Sequence, residues 1–402
     1  EQPFNIEKHF FRKALQLITE KGSRISATQQ SKVFHRYASF SYDEYLQISK
    51  NSELNRLRES VVRRTEEIRQ HQSMDPKKMS KEEVGAAHRH RRYAETYLQQ
   101  DKAQLNSLEK SQADFLSNAM NYSAKAVIAS DLFDNTLIRF TSLWFENFAN
   151  GELNELIASI VQQIPSHKFV FLTHQISARL SNTPSSRASN GVTSHETAIR
   201  KSHKTVYTLF TKMCKDHPYQ TLYSLYALRS AGMAQSQSMS SNSSRNKQSG
   251  TQPGSSSQQM RAAAADAMWN ELMANQVRQA EMRDFKTACD AYTEWAKFNL
   301  KAHGARFFDK GGAIKKSCSL PAGLSISAIR DLKAPVATAD IPIDKTCKYL
   351  VYVSLARYSR AFSTAGGVHL PKIIECVGSD GNRYKQLVRA AYLRPIYINE
   401  LN

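Results

Sequence analysis

The sequence predicts a mainly α protein: an α-solenoid over residues 1–325, followed by a small, incomplete β-rich segment over 326–388. Three observations predict it. Apolar residues recur at helical spacing, as in Leu153, Leu156, Ile157, Ile160 and Val161. From Ala334 the texture changes, with Pro335, Pro342 and Pro371 and with β-branched and aromatic runs such as Tyr349-Leu350-Val351-Tyr352-Val353. Finally, Lys372 to Val377, the turn string Gly378-Ser379-Asp380-Gly381 and Arg383 to Val388 form a hairpin plan behind the pair Gly366-Gly367.

The 402 residues suffice for two or three domains and, at 41% apolar, for a large core. A formal net charge of +19 favours contact with polyanions and acidic surfaces but specifies no fold. Cys214, Cys289, Cys318, Cys347 and Cys376 are far apart, with no C-x-x-C pair. That speaks against a disulfide framework or a zinc site and for a reducing compartment. No apolar run reaches the roughly 18 residues of a membrane-spanning helix, so none is expected. The start carries neither an initiator Met nor a signal-peptide core, and both ends read as cut from something larger.

Taken in order, the first polar helix is expected over roughly Asp43 to His71, and Asp75-Pro76 ends it. Ser80 with Glu83 forms a capping box ahead of a second, long polar helix. The two are expected to pair antiparallel and face solvent. After Asp131 the helices become aromatic-rich, with Phe140, Leu143, Trp144 and Phe148 on one face, and these read as buried layers. Ile164-Pro165 breaks a helix and restarts it, and His217-Pro218 does the same before Tyr219, Leu222, Leu225 and Tyr226. Val206, Leu209, Phe210 and Met213 make the intervening apolar face. Amphipathic pairs in series fit a solenoid, each pair covering the next, although periodicity alone also permits a compact bundle.

Met233 to Met260 holds ten serines and six glutamines and almost nothing to bury, so 233–260 reads as a disordered insertion. Ser236-Gln237, Thr251-Gln252 and Ser257-Gln258 fall inside it. Composition alone gives about two such pairs, so they are no enrichment. Helical pattern resumes at Arg261 and Trp269.

Three further strings sharpen the picture: LWFENF at Leu143 to Phe148, IPSHKFVFLTHQISARL at Ile164 to Leu180, and DHPYQTLYSLYAL at Asp216 to Leu228. With TAGGVHLPKIIECVGSDGNRYKQLV at Thr364 to Val388, in this order and spacing, they resemble the phosphatidylinositol-3-kinase-related protein kinases, most closely the ATM/Tel branch. The resemblance covers about Phe34 to Val388. It implies a FAT-type α-helical solenoid over 1–325, the start of a kinase N-lobe over 326–388, and a divergent tail over 389–402. It also implies a nucleotide-binding set. Thr364, Ala365, Gly366, Gly367, Val368, His369 and Leu370 match the family's phosphate-covering loop, where glycines let backbone amides approach phosphate oxygens. Gln386-Leu387-Val388 matches the following strand, and Arg389 stands where the family carries a lysine that pairs with ATP phosphates. Arginine keeps the charge with a different reach and geometry.

The intact family is implied to be a nuclear serine/threonine protein kinase that uses ATP with magnesium. It phosphorylates Ser/Thr-Gln sites in DNA double-strand-break signalling and telomere maintenance, at the chromosome and telomere. Implied partners are protein substrates with Ser/Thr-Gln sites, a DNA-break sensor complex and a homodimer through the helical region. DNA contact is expected to be indirect or weak, and no membrane is involved. No catalytic-loop Asp-Arg-His string and no Asp-Phe-Gly occurs in these residues, and Phe308-Asp309-Lys310-Gly311, upstream of the N-lobe, reads as a loop. No catalytic or metal-binding residue is assigned, and the chain is expected to be catalytically incomplete. The alternative is a non-catalytic helical scaffold that binds or competes with the intact kinase.

Charge suggests a third reading, nucleic-acid contact through His88, Arg89, His90, Arg91 and Arg92. A solvated helix face with Glu82, Glu83 and Glu95 as partners is preferred, because aromatic residues do not interleave with the charges. His167 and His174 are spaced to share a helix face but lack a third ligand. Three unsupported strands are expected to leave an open edge and an uncovered apolar face, making residues after about 334 unstable alone.

Overall fold

The computed structural model describes residues 6–21, 24–73, 80–181, 193–241, 253–275, 279–365 and 371–388, without the side chains of 21, 232–257 and 304–305. The chain forms two compact units, Glu1–Ile164 and Pro165–Asn402.

The first unit is helical. A short π-helix, Glu7–Phe11, leads into α1 (Arg12–Lys21). It continues with α2 (Ala27–Lys50), α3 (Ser52–Ser73), α4 (Lys81–Ala129), α5 (Thr136–Glu146) and α6 (Gly151–Gln163). The predicted helix from Asp43 to His71 is two helices. Asn51 leaves the helical region at ψ 120°, and its side-chain oxygen accepts the Glu53 amide, so one residue ends α2 and starts α3. Both capping reactions of the Ser80–Glu83 box are present at the start of α4. A second box, Ser26 with Gln29, opens α2.

At 49 residues α4 is about 70 Å long and runs antiparallel to both α2 and α3. The register shows in cross-helix bonds: Ser31 Oγ to the Ala126 carbonyl, Gln112 to Ser49, Arg58 to Glu109, and Ser60 and Arg64 to Asp101. The apolar faces predicted for α5 and α6 are the core, with Leu137, Phe140, Trp144 and Ile157 fully buried.

The second unit starts with a 3-10 helix, Ser166–Leu172, right after the Ile164-Pro165 break. Then come α7 (Thr173–Ser177), α8 (Ser194–Asp216), α9 (Pro218–Ser241), α10 (Pro253–Met273) and α11 (Gln279–Lys297). The break at His217-Pro218 falls where the sequence places it. α9 pairs with α10 through the Arg229–Asp266 ion pair and the Tyr226–Trp269 ring contact. Trp269 in turn meets Phe285 of α11. Within each unit the helices pair in series, the α-solenoid plan. Of the Ser/Gln-rich stretch, α9 runs on to Ser241 and α10 begins at Pro253, while residues 242–252, including Thr251-Gln252, lie outside the described residues.

A 3-10 helix, Leu300–Arg306, leads to β1 (Cys318–Ser319), the single-turn α12 (Ser325–Ala328) and β2 (Arg330–Pro335). β3 (Ser354–Thr364), β4 (Lys372–Gly378) and β5 (Arg383–Val388) complete the sheet. The order is β1-β3-β4-β5, with β2 also on β3, and every pairing is antiparallel.

Two expectations are corrected here. The run Tyr349 to Val353 is not a strand. Positive φ at Cys347 (62°) and Tyr349 (44°) turns the backbone away from an extended path, and Leu350 and Val351 are 86% and 92% exposed. Nor is the apolar face of the sheet uncovered. α11 packs on it, burying Tyr358, Phe362, Ile374 and Cys376, so the strands share one compact unit with the helices before them.

Candidate functional site

β4 alternates strictly. Lys372, Ile374, Cys376 and Gly378 are buried on the α11 side, while Ile373, Glu375 and Val377 are half-buried on the other. The register puts Thr364 opposite Lys372, and Lys372 opposite Val388. One residue further along β3, the Ala365 amide donates to the Pro371 carbonyl at 2.9 Å. Thr364 and Ala365 are therefore the closed mouth of a hairpin connection. The other six residues assigned to nucleotide contact, Gly366, Gly367, Val368, His369, Leu370 and Arg389, lie outside the described residues.

Directly behind this mouth the open face carries one row across three strands, Ser363–Ile373–Leu387. A half-exposed aliphatic pair of this kind can stack a purine base. The next row is charged, with Glu375 near Arg383 (3.7 Å) and Lys385 (4.0 Å). The second glycine string lies at the far end of β4 and is a turn, as predicted. Gly381 has φ 80°, and Asp380 accepts the Asn382 amide and the Tyr384 hydroxyl. A Cβ on Gly378 would sit 2.5 Å from Val353 Cγ1, so glycine is required by close approach.

The covered face is polar at its centre. Tyr292 of α11 donates to Gln386 at 2.7 Å, and Gln386 donates to Cys376 Sγ at 3.3 Å. Burial pushes the Cys376 thiol up to about 12 and raises Tyr292, so neither ionises near neutrality. Lys372 Nζ donates to the carbonyls of Trp295 (2.7 Å) and Ala296 (3.0 Å), and burial brings its ammonium down to about 8. The sequence reading did not single out Lys372. Its strand parity with Ile374 and Cys376 was the available signal, but nothing local announces a partner on α11.

A second polar cluster surrounds the α8–α9 break. Ser166 Oγ donates to Asp216 at 2.6 Å and lies 3.1 Å from His217 Nε2, while His217 Nδ1 is hydrogen-bonded to Tyr349 at 2.7 Å. Serine, histidine and aspartate meet here, but the carboxylate holds the serine rather than the imidazole, and His217 is fully buried. This is not the arrangement that activates a nucleophile. His167 and His174 do not share a helix face. His167 lies in the 3-10 helix against the His217 ring, and His174 is in α7, 3.4 Å from Ser224. The cluster His88 to Arg92 is largely exposed on α4, with Arg91 paired to Glu95. Phe308 and Ile314 bridge a short turn whose amides Asp309 caps.

Serial helix pairs running into the opening antiparallel sheet of a kinase N-lobe define the class, a kinase of the phosphatidylinositol-3-kinase-related type with its FAT region. A structure of the FAT and kinase domain of CtTel1 matches 96% of this chain, and 23% of its own, at TM-score 0.68 and 20% identity. The complete CtTel1 dimer with C2 symmetry matches 97% of this chain and 12% of its own at TM-score 0.71 and 20% identity. At that identity the likeness concerns the fold. No family model matches the chain. In sequence, the chain is 30% identical over 322 residues to the serine-protein kinase ATM of Sus scrofa, covering 78% of this chain and 10% of that one. It is 27% identical over 373 residues to the serine/threonine-protein kinase TEL1 of Cryptococcus neoformans var. neoformans serotype D (strain B-3501A), covering 92% and 11%. The chain belongs to the ATM/Tel branch of this kinase family. It spans about a tenth of the length of the curated relatives it matches.

Proposed function

We propose that these residues supply the FAT-type helices and the nucleotide-covering strands of an ATM/Tel-type serine/threonine protein kinase. The whole protein acts in the nucleus, in double-strand-break signalling and telomere maintenance, on Ser/Thr-Gln sites with ATP and magnesium. It works with a DNA-break sensor complex and as a homodimer through its helices. The 402 residues alone do not transfer phosphate, because they contain neither a catalytic-loop Asp-Arg-His string nor Asp-Phe-Gly. The observation that supports this most is the sheet register: the mouth at Thr364 and Ala365 stands beside the Ser363–Ile373–Leu387 row.

The test compares native protein captured through this sequence with the purified 402-residue chain. Native protein should phosphorylate a Ser-Gln peptide with Mg-ATP, prefer it to the Ser-Ala version, and gain activity after DNA breakage. The isolated chain should incorporate no phosphate. Native protein without Ser-Gln activity, or an active isolated chain, refutes the reading.

A further inference from the structure

The row Thr364–Lys372–Val388 crosses three strands. From it the chain continues into residues 365–370 on one strand and into residue 389 on another, so every residue assigned to nucleotide contact begins in this row or follows directly from it. At its centre Lys372 is only 5% exposed, its side chain turned away from the open face. Nζ donates to Trp295 and Ala296 carbonyls, and it lies 5.1 Å from the centroid of the Trp295 ring. Both carbonyls belong to the last turn of α11, at the negative end of its dipole, where a helix leaves acceptors underused.

An apolar side chain would fill the same space without desolvating a charge. The ammonium instead adds a directional three-point attachment to one helix end. Two other hydrogen bonds from α11, Asp284 with the Lys333 amide and Tyr292 with Gln386, reach the sheet away from this row, and Glu294 accepts the Ser325 amide of α12. Lys372 is the attachment that stands at the loop mouth.

We propose that Lys372 is a positioning residue through which the C-terminal turn of α11 holds the hairpin mouth formed by Thr364, Ala365 and Pro371. It fixes the β4 end at that mouth, so movement of that turn is passed to Ala365 and Pro371. The consequence for nucleotide rests on the phosphate-loop reading above; the clasp itself concerns only β4 and α11.

Hydrogen exchange of Lys372→Met and Lys372→Arg, each in the full chain, tests it. Lys372→Met should speed exchange of the Ala365 amide, which donates to the Pro371 carbonyl, by about tenfold or more while the Cys376–Tyr384 pair keeps its protection. Lys372→Arg keeps charge-assisted donors and should restore most of the Ala365 protection. Unchanged exchange at Ala365 in folded Lys372→Met overturns the clasp, as does faster exchange spread evenly over the sheet. Should Lys372→Met not fold, the wild-type ammonium is read directly. Nζ protons shielded from water support the clasp, and Nζ protons exchanging like those of an exposed lysine overturn it. No nucleotide enters this readout, so it fails only if the clasp fails; the phosphate-loop reading is judged by the kinase assay.

Discussion

His217 Nδ1 and the Tyr349 hydroxyl are hydrogen-bonded at 2.7 Å in the interior of the second unit, joining the α8–α9 break to the segment that enters β3. Tyr349 also donates to Gln220 at 3.0 Å, and Gln220 donates to the Ile341 carbonyl. Tyr349 holds a positive φ that an aromatic residue adopts only under constraint. Tyr349→Phe keeps the ring contacts with His217 and Tyr219 but strips His217 and Gln220 of a buried partner. It should cost about 1–3 kcal/mol in urea unfolding. An unchanged midpoint would show that the network holds nothing.

Asp344 makes the turn before Tyr349. It accepts the amides of Thr346, Lys348 and Tyr349 and the Thr346 hydroxyl. These donors, the Tyr349 amide first, hold its carboxyl down at about 2. A depressed folded value means the contribution is full above the ordinary carboxylate pKa, near 3.9, and disappears as pH falls toward 2. Exchange at the Lys348 and Tyr349 amides, corrected for intrinsic rate, should accelerate over that window. In Asp344→Ala it should already be fast and show no such step.

The Ser80–Glu83 box caps a helix whose first turns are exposed, so little packing compensates for its loss. Ser80→Ala should cost about 1 kcal/mol of local stability. The expected sign is faster exchange in the first turn of α4, with no change near Met120, where the helix is buried.

These cases show where sequence was informative. Caps, proline breaks and apolar spacing are local, and α4, α6, α8 and the β4–β5 hairpin fall where residue chemistry puts them. Asn51 was missed because the apolar pattern runs on beside it and one side-chain bond decides the break. Tyr349 to Val353 misled because strand propensity is a weak preference that the anchoring of Tyr349 and Tyr352 overrode. The site divided the same way. The loop mouth at Thr364 and the Gly378–Gly381 turn were legible as strings, whereas Lys372 depends on a helix end about 76 residues away in sequence, beyond any local signal.

Leu350 and Val351 stand between two anchored tyrosines. Tyr352 stacks on Tyr219 at 4.1 Å and donates to the Lys333 carbonyl. Leu350→Ser with Val351→Ser removes two apolar side chains that are 86% and 92% exposed, and stability should stay within about 0.5 kcal/mol. Tyr352→Ala, one position on, should cost about 1–3 kcal/mol by losing its stack and its bond. Equal effects of the two changes would contradict the anchoring described here.

Lys372 gives the sharpest pH test. Burial is the cause that brings its ammonium down to about 8, so the folded chain releases this proton before the unfolded chain does. Stability contributed by the residue is therefore lowest below pH 8, rises toward the ordinary lysine value near 10.4, and is level beyond it. Two carbonyl acceptors and an indole face favour the charged form and oppose that rise, which keeps it to no more than about 3 kcal/mol. Lys372→Met has no proton to release. The stability of wild type minus that of Lys372→Met, followed by urea unfolding from pH 7.5 to 10, should increase with pH. A flat difference would mean that the acceptors fully offset burial. A falling one would mean that the α11 turn holds the ammonium more firmly than water does, strengthening the electrostatic side of the clasp at the expense of the burial argument.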